Sequence, residues 1–409
     1  MTMKMTKSNL NPWWVVFAGG LVLAYSMGVR LSLGLLVPDI SLNLGISVSD
    51  LSFSFAMQNL LWGAVSPVAG ALAERYGTAK ILLAGALLYA AGLVVAALAA
   101  SSTMFFVGNA MLIGIGTGAT TFPIVLAAVG KRFPAHKRTL ALGIASAGGS
   151  LGQFLYAIFL GYLAPSQGWV STFLVFAATT LLILGLIGLL RDGVRPARQA
   201  HDAPLRIFDW QAIAQAMKSR EYQLLSLGFF VCGFHIAFIT VHMSGLVAYC
   251  GLLPSVASDS LAIIGLMNIV GVILIGWAGD RWHKPGLLFV IYALRGCLIL
   301  MLLTQPITDQ LLYLFSGIMG MLWLSTVPLT SGAVAHLFGT KNLASLFGIV
   351  MFSHQIGAFF GSWWAGLTFE WYGSYDVALI ASALLAFLAA AVHLPMTPKR
   401  MQQLSYREA

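Results

Sequence analysis

Two arginines and three histidines sit where a chain of this kind has least use for polar groups. Arg30 lies seventeen residues into an apolar stretch spanning 13–38, Arg295 ten residues into 285–304 and His354 eleven into 343–368, with His235 and His242 inside 223–249. The 13 acidic residues fall elsewhere, in polar segments or within three residues of the end of an apolar stretch. A guanidinium at mid-helix costs upwards of ~2.5–3.5 kcal/mol on membrane-insertion scales, so its retention needs a partner. With no carboxylate at that depth, a candidate partner is cargo: a planar fork of N–H donors matches a small organic anion. The chemistry these residues suit is reversible binding of an anion rather than bond making.

Other polar residues at compatible depth are Gln355 beside His354, and Tyr25, Asn59, Gln153, Tyr156, Asn268 and Trp323. Amides and hydroxyls can orient a carboxylate and an indole can wall an apolar pocket; each is equally readable as helix packing. Alternatives stand for the cations too. Arg30 is an anion ligand, or an arginine solvated by water and carbonyls near the outer end of its helix. His235 binds cargo or is a neutral core histidine, His354 binds or links a proton to gating or is packed, and Arg295 touches substrate or has a structural, water-linked role. With no buried carboxylate, a coupled proton would travel on histidine or on the substrate itself.

The elements that must position these residues are membrane helices. The chain has 409 residues, 59% hydrophobic and 9% charged, and its mean hydropathy is +0.88, far above soluble domains. Spanning takes about 20 apolar residues. Stretches of that length are read at 13–38, 50–73, 79–100, 103–130, 139–164, 169–190, 223–249, 257–279, 285–304, 308–337, 343–368 and 374–394, so the expectation is an all-α membrane protein of twelve transmembrane helices. The first of these is too long for the core of a cleavable signal and is read as a retained helix.

Of the 22 Lys and Arg residues, 20 fall in the two tails and in the loops on one side (75–80, 131–138, 191–220, 281–284 and Lys341). The positive-inside rule then puts both termini and the long loop in the cytoplasm, in a plasma or inner membrane. The basic excess is topological and no nucleic-acid partner is expected. The polar 191–222 loop separates an N-terminal bundle (1–190) from a C-terminal one (223–409), and its FDWQAIAQAMKSREY segment fits an amphipathic interfacial helix. Cys232, Cys250 and Cys297 show no C-x-x-C or His/Cys clustering, so neither metal nor disulfide framework is indicated, and no cofactor is expected.

An internal repeat supports two related halves. At an offset of 205, Gly28 meets Gly233, Pro123 meets Pro328, Phe133 meets Phe338, Gly143 meets Gly348 and Gly152 meets Gly357; at 206, GALAER (70–75) meets GWAGDR (276–281). Pro123 and Pro328 are candidate bend points in the fourth and tenth helices. The repeat also pairs Arg30 with position 235, which would set Arg30 and His235 facing across a pore.

GALAERYGTAK after the second helix, repeated as GWAGDRWHKPG after the eighth, resembles the signature of the major facilitator superfamily, and the resemblance covers essentially the whole chain. It implies two pseudo-symmetric six-helix bundles working by alternating access, with Glu74, Arg75, Asp280 and Arg281 as gate residues forming charged pairs between the halves, or else as ordinary loop charges. Within the superfamily the chain resembles the monocarboxylate transporter and oxalate/formate antiporter branch. Arg30 in YSMGVRLSLGLLVP resembles the functional lysine of helix one in monocarboxylate transporters, and His354 in LFGIVMFSHQIGAFFG the functional lysine of helix eleven in oxalate/formate antiporters. The mammalian carriers have an Asp and Arg pair in helix eight where this chain offers Asn268, so their proton scheme does not carry over.

The expected function is secondary transport of a small carboxylate, by proton symport, exchange or uniport, by a monomer in the lipid bilayer. An alternative is a drug/proton antiporter on the same scaffold, although Asn109 stands where those proteins commonly have an arginine and the fifth helix lacks their Gly-Pro signature. A second alternative is a non-transporting membrane receptor. No nucleophile motif or phosphate-binding GxxxxGK[ST] run is present, which argues against an enzyme and against ATP as the driving force.

Overall fold

A computed structural model describes residues 11–190 and 208–404, and every regular element among them is helical. The basic N-terminal tail, the Pro-containing part of the 191–222 linker and the last five residues lie outside the described residues. We number the long helices α1 (Pro12–Leu36), α2 (Val48–Tyr76), α3 (Thr78–Ala97), α4 (Ser102–Gly130), α5 (Ala135–Leu160), α6 (Ser166–Leu190), α7 (Arg220–Tyr249), α8 (Pro254–Arg281), α9 (Lys284–Thr304), α10 (Asp309–Phe338), α11 (Leu343–Tyr372) and α12 (Asp376–His393). Each falls on one of the expected spans. Eleven are long and apolar enough to cross a membrane. The other, α2, has the length at 29 residues but carries Asp50, Gln58, Asn59, Glu74 and Arg75 along it.

Small residues set how closely these rods approach. A Cβ on Gly152 of α5 would run into the Ala24 backbone of α1, and one on Gly148 into Gly20. At the repeated positions, Gly357 of α11 lies against the Phe230 backbone of α7, and Gly233 of α7 against that of His354. The remaining repeated glycines sit at two further seams: Gly143 of α5 against Val272 and Gly276 of α8, and Gly348 of α11 against Pro67 of α2, where Gly70 also meets Ala344. The duplicated glycines of the sequence therefore mark four close helix crossings.

Two rods are discontinuous. The helical pattern of α4 is interrupted at 119–121 and that of α10 at 323–325. Pro123 and Pro328 follow these breaks as the second residue of Phe122–Gly130 and the third of Thr326–Phe338. That is where a residue without an N–H is tolerated, since the first turn has no intrahelical acceptor for it. Upstream of its break, α4 also widens to i→i+5 turns over Val107–Ile113. Before α7, Trp210–Lys218 forms the short helix expected in the linker, with Ala216 buried and Trp210 exposed. The Asp209 side chain accepts from the Ala212 amide at its start.

Candidate functional site

The half-buried Arg30 guanidinium is placed by two residues of α2 one helical turn apart. Its Nη2 donates to Asn59 Oδ1, and its plane lies 4.6 Å from the centre of the Trp62 ring. Trp62 is fixed in turn by an Nε1–H donated over 2.8 Å to Thr121 Oγ1, at the break in α4. Asn59 continues across to α11, donating from Nδ2 to Ser362 Oγ at 3.3 Å. An amide oxygen and an indole face stabilise a guanidinium without neutralising it.

Arg30, His354 and Gln355 line one central cavity with Trp62, Met27, Phe122, Leu324, Val327 and Met351. Its lining comes from α1, α2, α4, α7, α10 and α11, including the first residues past each helix break. His354 Nδ1 and Gln355 Nε2 are 3.1 Å apart, while Gln355 Oε1 and Arg30 Nε find no hydrogen-bond partner among the described residues. The Phe229 ring packs 4.8 Å from that of His354. The cavity has room for water centres of only about 20 Å³, enough for about one water. Cargo the size of a carboxylate needs the surrounding helices to part.

Arg295 is elsewhere and does something different. It is fully buried, and its Nη2 donates to the carbonyls of Leu322 (2.6 Å) and Trp323, the last turn before the break in α10. Four carbonyls at a helix C-terminus lack intrahelical donors and carry partial negative charge, so a cation placed there caps the half-helix. Asn268 of α8 completes the break from the other side: its Oδ1 accepts from the Leu324 amide at 3.0 Å and its Nδ2 donates to Ser150 Oγ of α5 at 2.8 Å.

The other sequence candidates are not in the cavity. His235 does not face Arg30 across a pore; its Nε2 is 2.9 Å from the Ser382 carbonyl of α12, and it borders a small apolar cavity with Phe238, Ile299 and Phe315. Tyr25 bonds Thr180 of α6 at 2.6 Å and Tyr156 donates to Thr179 at 3.1 Å, within an aromatic cluster that includes Tyr89 and Phe176. Gln153 is buried, with neither amide atom paired among the described residues, and Trp323 is buried with its indole N–H unpaired. What sequence reasoning missed is Trp62, one turn beyond Asn59 on the same face of α2, and Thr121, which orients it.

The cavity is closed at both ends. At the end where the described chain begins and finishes, Glu74 of α2 accepts from the amides of Ala344 (3.0 Å) and Ser345 (3.2 Å) and from Ser345 Oγ (2.5 Å) in the first turn of α11. Asp280 of α8 accepts from the amides of Thr139 (3.0 Å) and Leu140 (2.9 Å) in α5. Glu74 matches Asp280 at the 206 offset and Thr139 and Leu140 match Ala344 and Ser345 at the 205 offset, so, allowing for that one-residue shift, the same kind of contact is built twice. The expected partners were charges, but the carboxylates here take backbone amides near helix N-termini, where the helix dipole favours an anion. Arg75 and Arg281 stay on their own helices, over the rings of Tyr76 (5.2 Å) and Trp277 (4.1 Å). At the opposite end Phe53 of α2 meets Phe359 and Trp363 of α11, and Gly34 lies on the Thr240 backbone of α7.

Comparison with known proteins agrees with this architecture. The family description of the Major Facilitator Superfamily matches residues 16–362. The chain is 25% identical over 357 residues to the uncharacterized MFS-type transporter YcxA of Bacillus subtilis, covering 86% of each. It is 26% identical over 382 residues to monocarboxylate transporter 11 of Mus musculus, covering 90% of this chain and 83% of that one. With the uncharacterized MFS-type transporter YhjX of Escherichia coli the identity is 24% over 361 residues, covering 87% and 88%. A helical bundle with apolar rods, discontinuous helices at its centre and a family match over most of its length leads to one conclusion: this chain belongs to the Major Facilitator Superfamily and is a multi-pass membrane transporter, not an enzyme.

Proposed function

We propose that the protein moves a small organic anion, a monocarboxylate or related carboxylate, by alternating access, with the cargo carboxylate held by Arg30. The observation that carries this reading is the guanidinium at the central cavity: it is supported by Asn59 and Trp62, and among the described residues its Nε has no partner and no carboxylate pairs with it. His354 and Gln355 on the opposite wall are the second contact, through the free Gln355 Oε1 or the imidazole. The mouse relative's printed name, monocarboxylate transporter, supports the same substrate class. Two six-helix halves, 1–190 and 223–409, rock about the α5–α8 and α2–α11 seams, with Glu74 and Asp280 latching one end shut. The distribution of Lys and Arg supports cytoplasmic placement of that end, in a plasma or inner membrane. The protein works as a monomer, and a coupled proton travels on His354 or the cargo.

The test is uptake of radiolabelled organic acids into proteoliposomes. Wild-type protein gives saturable flux of at least one monocarboxylate, and Arg30→Gln lowers its Vmax/KM about 100-fold or more, the loss of two charge-assisted hydrogen bonds. Unchanged carboxylate flux in a folded Arg30→Gln variant removes Arg30 from the mechanism; flux of organic cations alone removes the anion assignment.

A further inference from the structure

A second polar cavity lies outside the transport path, at the latched end of the molecule. It is bounded by Trp282, His283, Lys284 and Pro285 from the α8–α9 junction, by His336 in the last turn of α10, and by Pro398, Met401 and Gln402 of the short tail helix Pro398–Gln403. Its volume of about 300 Å³ is some fifteen times that of the central cavity's 20 Å³.

The charged and titratable groups on its wall are Lys284, His283 and His336, the last with its ring bonded to the Met401 backbone. The Lys284 ammonium makes no hydrogen bond or ion pair among the described residues, and its stem packs on Gly332 of α10. His283 caps α9, its Nδ1 accepting from the Gly286 amide at 3.2 Å. An imidazole that accepts at Nδ1 carries its proton at Nε2, and that buried Nε2 has no hydrogen-bond partner. Burial, followed by the neighbouring Lys284 charge, moves the His283 pKa down and favours this neutral tautomer. Asp280 is one turn back on α8; both its oxygens are engaged by the Thr139 and Leu140 amides, and its charge acts on Lys284 across space without an ion pair. Among the described residues no carboxylate lines the cavity. On its rim Trp282 stands 59% exposed and edge-on to Trp277, whose face carries Arg281. An indole pair beside cationic groups is the composition of a bilayer–water boundary.

We propose that this cavity binds a phosphate group, held by the Lys284 ammonium and the His283 Nε2–H, with His336, whose ring bonds the Met401 backbone, completing the wall. A tetrahedral anion with several acceptor oxygens can take both of these donors at once, and an ammonium serves it as a point charge. The phosphate comes from an anionic phospholipid headgroup at the boundary or from a soluble phosphate compound. Because the cavity joins the base of α9 to the tail helix next to the Asp280 latch, occupancy ties together elements that must separate or slide when that end opens. The site rests on the family assignment and does not require the cargo to be a carboxylate.

The test uses full-length protein in lipid nanodiscs, where both faces are accessible and sidedness is immaterial. Thermal unfolding is followed in phosphatidylcholine discs with and without inorganic phosphate or pyrophosphate, and in discs with phosphatidylglycerol added. A rise in Tm on adding phosphatidylglycerol alone identifies the lipid source; a rise with the soluble anions in phosphatidylcholine identifies the free one. In either case Lys284→Gln weakens the apparent affinity about tenfold or more, as expected for losing one charge-assisted bond, and His336→Gln does so by a smaller factor. If neither source raises Tm, or if Lys284→Gln and His336→Gln respond as wild type does, the proposal is overturned. Arg30→Gln is the control: it keeps the phosphate response while losing carboxylate flux, so failure of one reading is visible apart from the other.

Discussion

Arg30 and Arg295 bring the same charge to the interior of one molecule and meet opposite surroundings. Arg30 is half-buried at the cavity, resting on an indole face and one amide oxygen, with Nε unpaired. Arg295 has no exposed surface; its Nη2 is committed to two carbonyls at a helix break, while its Nε and Nη1 find no partner among the described residues. On the proposed reading the first charge is answered by cargo, and the second is answered in part by the chain's own backbone. Depth along a helix is thus a poor guide to role: one guanidinium lines the central cavity and the other sits at a helix break.

The largest expected effect is at Arg30. Arg30→Gln should lower carboxylate Vmax/KM about 100-fold or more while leaving Tm within a few degrees, because the cavity already accommodates a polar side chain there. Arg295→Gln should show the reverse pattern. Removing the cap leaves the Leu322 and Trp323 carbonyls short of a donor, at about 1–3 kcal/mol each, so Tm falls clearly in a thermal-shift measurement while the KM of the remaining transport stays near wild type. If Arg295→Gln instead raised KM strongly with Tm unchanged, the contrast between the two arginines would be wrong. Trp62→Phe is the sharpening variant: it keeps an aromatic face under Arg30 but loses the bond to Thr121, and a several-fold rise in KM is expected from the loosened platform.

Smaller effects belong to the latches. Glu74→Gln and Asp280→Asn each keep the shape but lose the charge in amide–carboxylate bonds, and each should increase labelling of a cysteine introduced at Val327 from the latched end several-fold, by similar amounts. A large difference between the two would show that the duplicated contact does unequal duty. The smallest effect concerns Asp209, whose carboxyl is held below its ordinary 3.8, chiefly by the Ala212 amide and also by Asn342. A depressed folded pKa means that this contribution is present above the unfolded value and is lost as pH falls through the folded one. The linker helix should therefore loosen only in strong acid, seen as faster proteolysis near Trp210 below about pH 4.

The sequence carried the architecture well for a physical reason: apolar length is a one-dimensional signal, and so is the repeat register that places Gly152, Gly357, Gly143 and Gly348. The depth of Arg30, His354 and Gln355 was legible in the same way, and the bends near Pro123 and Pro328 follow from a missing N–H. Direction around a helix was not legible. A rod that is apolar on every side has no polar face to reveal which way it turns, so His235 was expected across a pore from Arg30 and instead bonds α12, while Tyr25 and Tyr156 turn into an aromatic cluster. Trp62 was overlooked because an indole among apolar residues looks like packing until the guanidinium above it is seen. Arg75 and Arg281 were expected to bridge, yet backbone amides, invisible to any motif, take that place.

The twofold construction of the closed end has a kinetic corollary. On the proposed alternating-access reading, two fastenings of the same make, one on each flank of the exit, must let go together before the central chamber meets solvent on that side, so the barrier to release grows with their sum while the damage from losing one is only half. A lock of that kind has an opening rate that can be tuned in small steps by altering a single carboxylate.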